Sequence, residues 1–206
     1  QMLGMLINAF YGGCGVGILN YFIYIIIAVF IGGLMVGRTP EFMGHKVEAR
    51  EVKIAALVTL LSAFLIKGGT ALAAYYFVHH GNAAWAVQPS NWLNNPGNHG
   101  FSEMFYEFTS ANANNGSGFE GLGDNNIFWN VTTGFVLLLG RFLPIIGPIA
   151  IIGLLAKKKY IPESSGTLKV ESLTFGMLTF AIIIIITALS YFPPLVLGPI
   201  AEYLGM

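Results

Sequence analysis

Two short stretches of this chain are built from residues that serve neither helix nor strand well. The first is Gly12-Gly13-Cys14-Gly15-Val16; the second runs Thr109-Ser110-Ala111-Asn112-Ala113-Asn114-Asn115-Gly116-Ser117-Gly118. Gly and Asn tolerate left-handed backbone, so such stretches can aim successive carbonyl oxygens at one axis. Carbonyls grouped in that way replace the hydration shell of a monovalent cation. Neither stretch contains a carboxylate, which disfavours calcium, since calcium prefers several carboxylates. Cys14 is the single cysteine, which excludes an internal disulfide framework and a multi-Cys zinc site. Its backbone carbonyl matters more here than its sulfur. The plainer reading of Asn112, Asn114 and Asn115 is a solvated surface loop.

Charges inside apolar surroundings are the second signal. Arg141 is flanked on both sides by apolar residues, with Pro144 and Pro148 able to kink a helix just beyond it. An intramembrane Arg is costly and faces a partner or a water-filled path; the alternative is snorkelling to the inner interface. Arg38 sits where the chain turns polar, and Glu41, three residues on, is its candidate partner on the cytoplasmic side. Lys67 stands mid-span without an assigned role. His79, His80 and His99 lack metal-ligand spacing and read as loop histidines. A rival chemistry would use Ser110 or Ser117 as nucleophile, His99 as base and Glu103 or Asp124 as orienter. Nothing in their spacing demands it.

The elements that would position these residues follow from composition. Of 206 residues, 55% are hydrophobic and only 10% charged, against roughly 25% charged in soluble domains. The mean hydropathy is +0.68. Such a chain cannot hide its apolar surface in water. Net charge is zero, so no basic field attracts nucleic acid. The charge-free runs Gly17–Gly37 and Ser172–Ala201 each exceed the roughly 20 residues needed to span a bilayer. Ile54–Val78 is interrupted only by Lys67, and Asn125–Ala156 only by Arg141. Lipid demands locally closed backbone bonds, so even the β-branched run Ile182–Ile186 reads as helix. The expected fold class is an all-α integral membrane protein with four transmembrane helices.

Orientation follows from basic residues. Arg38, Lys46, Arg50 and Lys53 lie between the first two spans, and Lys157, Lys158, Lys159 and Lys169 between the last two. The stretch His79–Asp124 has no Lys or Arg. Both basic loops are thus expected in the cytoplasm, with both termini outside. Trp85, Trp92 and Trp129 then fall on the outer side, as an interfacial belt would.

An internal repeat organises the two glycine stretches. At an offset of 103 positions, Gly13 falls on Gly116, Gly15 on Gly118, Leu34 on Leu137, Gly37 on Gly140 and Arg38 on Arg141. Ahead of the second stretch, Phe101, Met104, Phe105 and Phe108 mark one face of a short helix, with Glu103 and Glu107 on another. About ten helical residues reach ~15 Å, half a membrane core, so such a segment dips in and returns. Gln1–Tyr11 is too short to span and reads as a re-entrant half-helix or the end of a longer one. The chain begins without an initiator Met and is expected to be part of something longer.

The motifs GGCGVG at 12–17, GLMVGRTPEF at 33–42, SANANNGSGF at 110–119 and GRFLPIIGP at 140–148 closely resemble one family over essentially the whole chain. It is the channel-like, potassium-binding A subunit of the bacterial Kdp-type potassium-transporting ATPase. The resemblance implies a four-repeat, potassium-channel-like fold in the inner membrane, of which this chain carries the third pore loop onward. Residues 1–16 would end the third pore half-helix and filter strand. Residues 17–100 would be two transmembrane helices with their loops, and 101–124 the fourth half-helix and filter strand. Residues 125–156, 157–171 and 172–206 would be a transmembrane helix, a cytoplasmic loop and the last helix with an external C-terminus. The implied potassium-binding residues are Gly12, Gly13, Cys14, Gly15 and Val16, with Asn112, Asn114, Asn115, Gly116 and Ser117. Pairing Gly13 with Gly116 and pairing Gly15 with Gly116 both remain open. Arg141 would block cation leakage beneath the filter.

The implied ligand is potassium, with no organic cofactor. The implied partners are a P-type ATPase subunit that hydrolyses the ATP, small accessory membrane subunits and the bilayer. This chain would itself be non-catalytic. The competing functions are an intramembrane hydrolase and a purely structural scaffold subunit.

Overall fold

The computed structural model describes residues 1–79, 92–95, 97–162 and 169–205, and of Asn98 the backbone. Among them the elements run α1 (Met2–Phe10), α2 (Gly17–Val36), a hairpin of β1 (Glu41–Phe42) and β2 (His45–Lys46), α3 (Ala49–His79) and α4 (Asn98–Ala113). They continue with α5 (Ile127–Ala156), α6 (Leu173–Leu195), a wide π-helical turn at Val196–Ile200, and α7 (Ala201–Leu204). Four helical stretches are long and apolar enough to cross a membrane: Gly17–Val36, Ala49–His79, Ile127–Ala156 and Leu173–Leu204. They fall on the four expected spans. His80 and Trp85 lie outside the described residues.

Local chemistry explains where these helices begin and end. The Asn126 side chain accepts from Trp129 N at 3.2 Å to cap α5, and Ser172 does the same for Phe175 N at 3.2 Å in α6. Gly37 closes α2 in left-handed conformation, with Arg38 N donating to Gly33 O at 2.9 Å. The prolines do not interrupt α5: it stays one helix through Pro144 and Pro148, as membrane helices allow when neighbours cover the freed carbonyls. Met43 and Gly44 both take positive φ, the geometry of a two-residue hairpin turn. Met is a rare choice there, which is why the hairpin is not legible in the sequence.

The short helices α1 and α4 are enclosed by the longer ones. Leu6, Ala9 and Phe10 of α1 cluster with Phe105 and Ala113 of α4, and with Tyr24, Ile66, Ile183 and Tyr191. The Tyr24 hydroxyl donates to Phe10 O at 3.1 Å, covering a carbonyl at the end of α1 that lacks a helical partner. Close approach of α3 and α5 depends on Gly147, where a Cβ would stand 2.4 Å from Val58 Cγ2.

Two sequence expectations are corrected here. Trp92 and Trp129 form no interfacial belt; both are buried, at 0% and 1% exposure. Trp92 stacks on Tyr76 and Phe128, and Trp129 meets Trp92 edge-on. An aromatic cluster that joins α3, α4 and α5 buries more apolar area than an interfacial perch would. His79 and His99 are no loop histidines either: His79 ends α3 against the Tyr75 ring, and His99 sits in the first turn of α4, with Nδ1 on Glu202 Oε1 of α7 and Nε2 3.9 Å from Glu103 Oε1.

A candidate cation site where two helix ends meet

The C-terminal ends of α1 and α4 meet. Cys14 N donates to Ala113 O at 3.0 Å, so the turn after α1 is hydrogen-bonded to the last turn of α4. A Cβ at Gly13 would stand 1.8 Å from that same Ala113 oxygen, so no side chain fits there. Helix C-termini carry partial negative charge, and here two of them converge on one place. Left-handed backbone follows both helices: φ is +87°, +70° and +92° at Gly12, Gly13 and Gly15, and +55°, +72° and +56° at Asn114, Gly116 and Gly118. Positive φ recurs at the 103-position offset for Gly13 with Gly116 and for Gly15 with Gly118. The capping residues Tyr11 and Asn114 stand at that same offset.

The second turn is held by side chains of α4. Ser110 Oγ donates to Asn115 Oδ1 at 2.8 Å, lies 3.0 Å from Ser117 Oγ and accepts from Gly118 N at 2.9 Å. Asn115 Oδ1 also accepts from Ser117 N at 3.0 Å. One helical turn back, Glu107 Oε2 accepts from Phe119 N at 2.7 Å. The Asn114 amide donates to Ala111 O, Asn112 O and Leu137 O at 3.2, 3.1 and 3.3 Å. These asparagines therefore brace a turn and are not a free surface loop. Asn112 differs from its expected place in the filter strand, because it belongs to the last turn of α4. It is 1% exposed, and neither its amide nitrogen nor its amide oxygen has a hydrogen-bond partner among the described residues. Burying an amide without partners is costly.

Arg141 completes the arrangement. It follows Gly140, where a Cβ would be 2.9 Å from Asn112 O, so α5 lies directly on the end of α4. From there the Arg141 guanidinium donates through Nη1 to Cys14 O. Along α5, Arg141 is about 21 Å from the helix start at 1.5 Å per residue. Arg38, its counterpart by offset, lies exposed beyond the far end of α2, roughly 30 Å along the helix from the first turn. Glu41 is buried at the start of the hairpin. The structure thus brings Arg141 to the turns and leaves Arg38 and Glu41 away from them. Lys67 is exposed on α3.

The hydrolase constellation does not assemble. Ser110 and Ser117 are bonded into the second turn, while His99 engages Glu202 and lies some 16 Å along α4 from Ser110. Glu103 accepts from Asn94 N, Asn95 N and Asn95 Nδ2 at 3.0–3.1 Å. Among the described residues no group of three or more His, Cys, Asp or Glu is placed to hold a metal ion.

On the basic side of the bundle, Lys158 joins the two loops. Its ammonium lies 2.9 Å from Glu51 and 3.1 Å from Glu48 and donates to Lys46 O at 2.9 Å, while Ile161 N donates to Gly44 O at 2.8 Å. The hydrogen bond from Lys158 holds the Glu48 carboxyl below its ordinary range. Burial opposes charge on Lys158, but its bonds to Glu51 and Glu48 outweigh that and raise its pKa.

A helical bundle with four membrane-length helices, enclosing two short helices whose glycine-rich ends meet, defines a polytopic membrane protein. The family model described as potassium-transporting ATPase A subunit matches residues 1–204, and the chain belongs to that family. Among similar proteins, the potassium-transporting ATPase potassium-binding subunit of Flavobacterium johnsoniae is 68% identical over 98% of this chain, and that of Flavobacterium psychrophilum 66% over 98%. The corresponding subunit of Geobacillus kaustophilus is 48% identical over 97%. The chain spans 36% of the length of the two Flavobacterium relatives and 34% of the third.

Proposed function

We propose that this chain is the part of a potassium-binding subunit that supplies two strands of a four-strand filter. The filter takes potassium from the outer side of a bacterial inner membrane and passes it towards a P-type ATPase subunit, which hydrolyses the ATP. The observation that carries this reading is the meeting of α1 and α4 at turns with six left-handed residues. Carbonyl oxygens there, with two partially negative helix ends behind them, suit a weakly hydrated monovalent cation. In this reading α1 and α4 are re-entrant pore helices, both chain ends face outward, and the remaining repeats and small accessory subunits complete the assembly. Gly12 to Val16 form one strand, in which Cys14 O is held by Arg141 rather than left open to the ion. Asn114 to Ser117 form the other, with Asn112 at its base.

Arg141 supplies the barrier. Its guanidinium stays charged at any relevant pH, and by holding Cys14 O it puts positive charge where a cation would leave the first turn. In a poorly screened site that repulsion far exceeds its value in water. The test of the potassium reading is ATP hydrolysis by the full assembled pump stimulated by potassium, rubidium or sodium. Gly116→Ala strains a left-handed turn by about 1–2 kcal/mol in open space, so discrimination against sodium should relax while the pump still assembles. An unchanged ion series would contradict the assignment.

A further inference from the structure

Glu107 takes no part in the site as drawn from the sequence, yet it stands directly behind the second turn. It shares a face of α4 with Ser110, three residues on. Together they hold the returning chain at successive points: Ser110 at Gly118 N and Glu107 at Phe119 N. The carboxylate is close enough that a Cβ at Gly118 would stand 3.1 Å from Glu107 Oε2. Glu107 is 7% exposed, and among the described residues no ion pair engages it; the whole stretch His79–Asp124 holds no Lys or Arg. A neutral amide would also accept the Phe119 hydrogen bond, though more weakly than a carboxylate. Burying a carboxylate without a cationic partner costs stability, and that cost is understandable where a positive charge is to be bound nearby.

We propose that Glu107 is a positioning residue of the potassium site, its hydrogen bond fixing the strand after Gly116 and its negative charge favouring a cation in the turn. The inference rests on the potassium reading above. It also modifies the absence of carboxylates noted in the sequence: the turn has none, but its rear wall does. A single carboxylate set behind the carbonyls raises the attraction for any cation without supplying the multidentate oxygens that calcium takes.

Two substitutions in the full-length assembled pump separate the two contributions. Glu107→Gln keeps an acceptor for Phe119 N and removes the charge. The half-saturating potassium concentration should rise about five- to tenfold, as expected for one nearby charge in a partly screened site, with maximal rate and the potassium-over-sodium preference kept. Glu107→Ala removes both, so affinity should fall further and the preference for potassium should also relax. If Glu107→Ala fails to assemble, Glu107→Gln alone still decides the charge. A Gln variant with the parent's half-saturating concentration overturns the proposal, as does an Ala variant with the parent's ion preference. If the parent itself is not stimulated by potassium, the potassium reading fails instead.

Discussion

The two glycine turns have similar backbones but differ in what supports them: the first is held mainly through backbone groups, the second mainly through side chains. The first, after α1, is tied to its own helix only by backbone, with Gly12 N on Ala9 O and Gly13 N on Asn8 O, and takes its other support from elsewhere in the chain: Cys14 N on Ala113 O, Arg141 on Cys14 O, and Tyr24 on Phe10 O. The second is braced largely by side chains, Ser110 and Glu107 of its own short helix and Asn115 within the turn, with lesser ties from Asn114 to Leu137 O and from Asn115 to Met5 Sδ. The room around them differs accordingly. A Cβ at Gly13 collides with backbone, whereas at Gly116 it meets nothing within 4 Å. Equivalent glycines in a repeat need not be equally replaceable: at one position glycine is demanded by φ alone, at the other by φ and by contact.

The sharpest way to break this comparison is Gly13→Ala. Because the obstacle is a backbone oxygen, relief requires α1 and α4 to part, at a cost on the order of 4 kcal/mol or more. The expected outcome is a large loss of thermal stability or failed assembly in the full-length pump, well beyond that of Gly116→Ala. Equal melting temperatures for the two variants would show that the turns are not asymmetric.

Removing the cross-support at Arg141 should affect transport more than folding. Potassium or rubidium flux through reconstituted pumps, with and without ATP, provides the measure. Arg141→Ala should permit passive flux or loosen coupling to ATP hydrolysis, and Arg141→Lys should keep most of the block because the charge survives. An Ala variant as tight as the parent would reduce Arg141 to a structural clamp on Cys14.

Ser110→Ala probes the side-chain support of the second turn. It removes the hydroxyl that serves Asn115, Ser117 and Gly118 N. At about 1 kcal/mol per bond the loss should be roughly 2–3 kcal/mol, partly offset if the turn relaxes, and smaller than for Gly13→Ala. Selectivity should weaken in step with stability. A fully stable variant with altered selectivity would show that the serine acts on the ion directly.

The four long helices were legible because apolar runs of membrane length admit few other structures, and the paired turns because glycine spacing repeats at one offset. What escaped depends on contacts between distant segments. Trp92 and Trp129 fit an interfacial belt by order along the chain, but no sequence pattern shows that Tyr76 and Phe128 would stack around them. The α4 periodicity put Glu103 and Glu107 on one face, yet only the path of the returning chain brings Phe119 N to Glu107. His99 and Glu202 likewise meet through the approach of α7 to α4. Arg38 and Arg141 match by offset but differ in their place along the helix, because α5 starts well after its turn whereas α2 starts at once.

The proposed site holds an ion between the turns at Gly12–Val16 and Asn112–Ser117. Crystals of the full-length pump grown with thallium, a potassium mimic with strong anomalous scattering, test it most directly. The expected result is an anomalous peak between the two turns that is displaced by excess potassium and persists in excess sodium. A peak elsewhere with the turns empty, or one displaced equally by sodium, would contradict it.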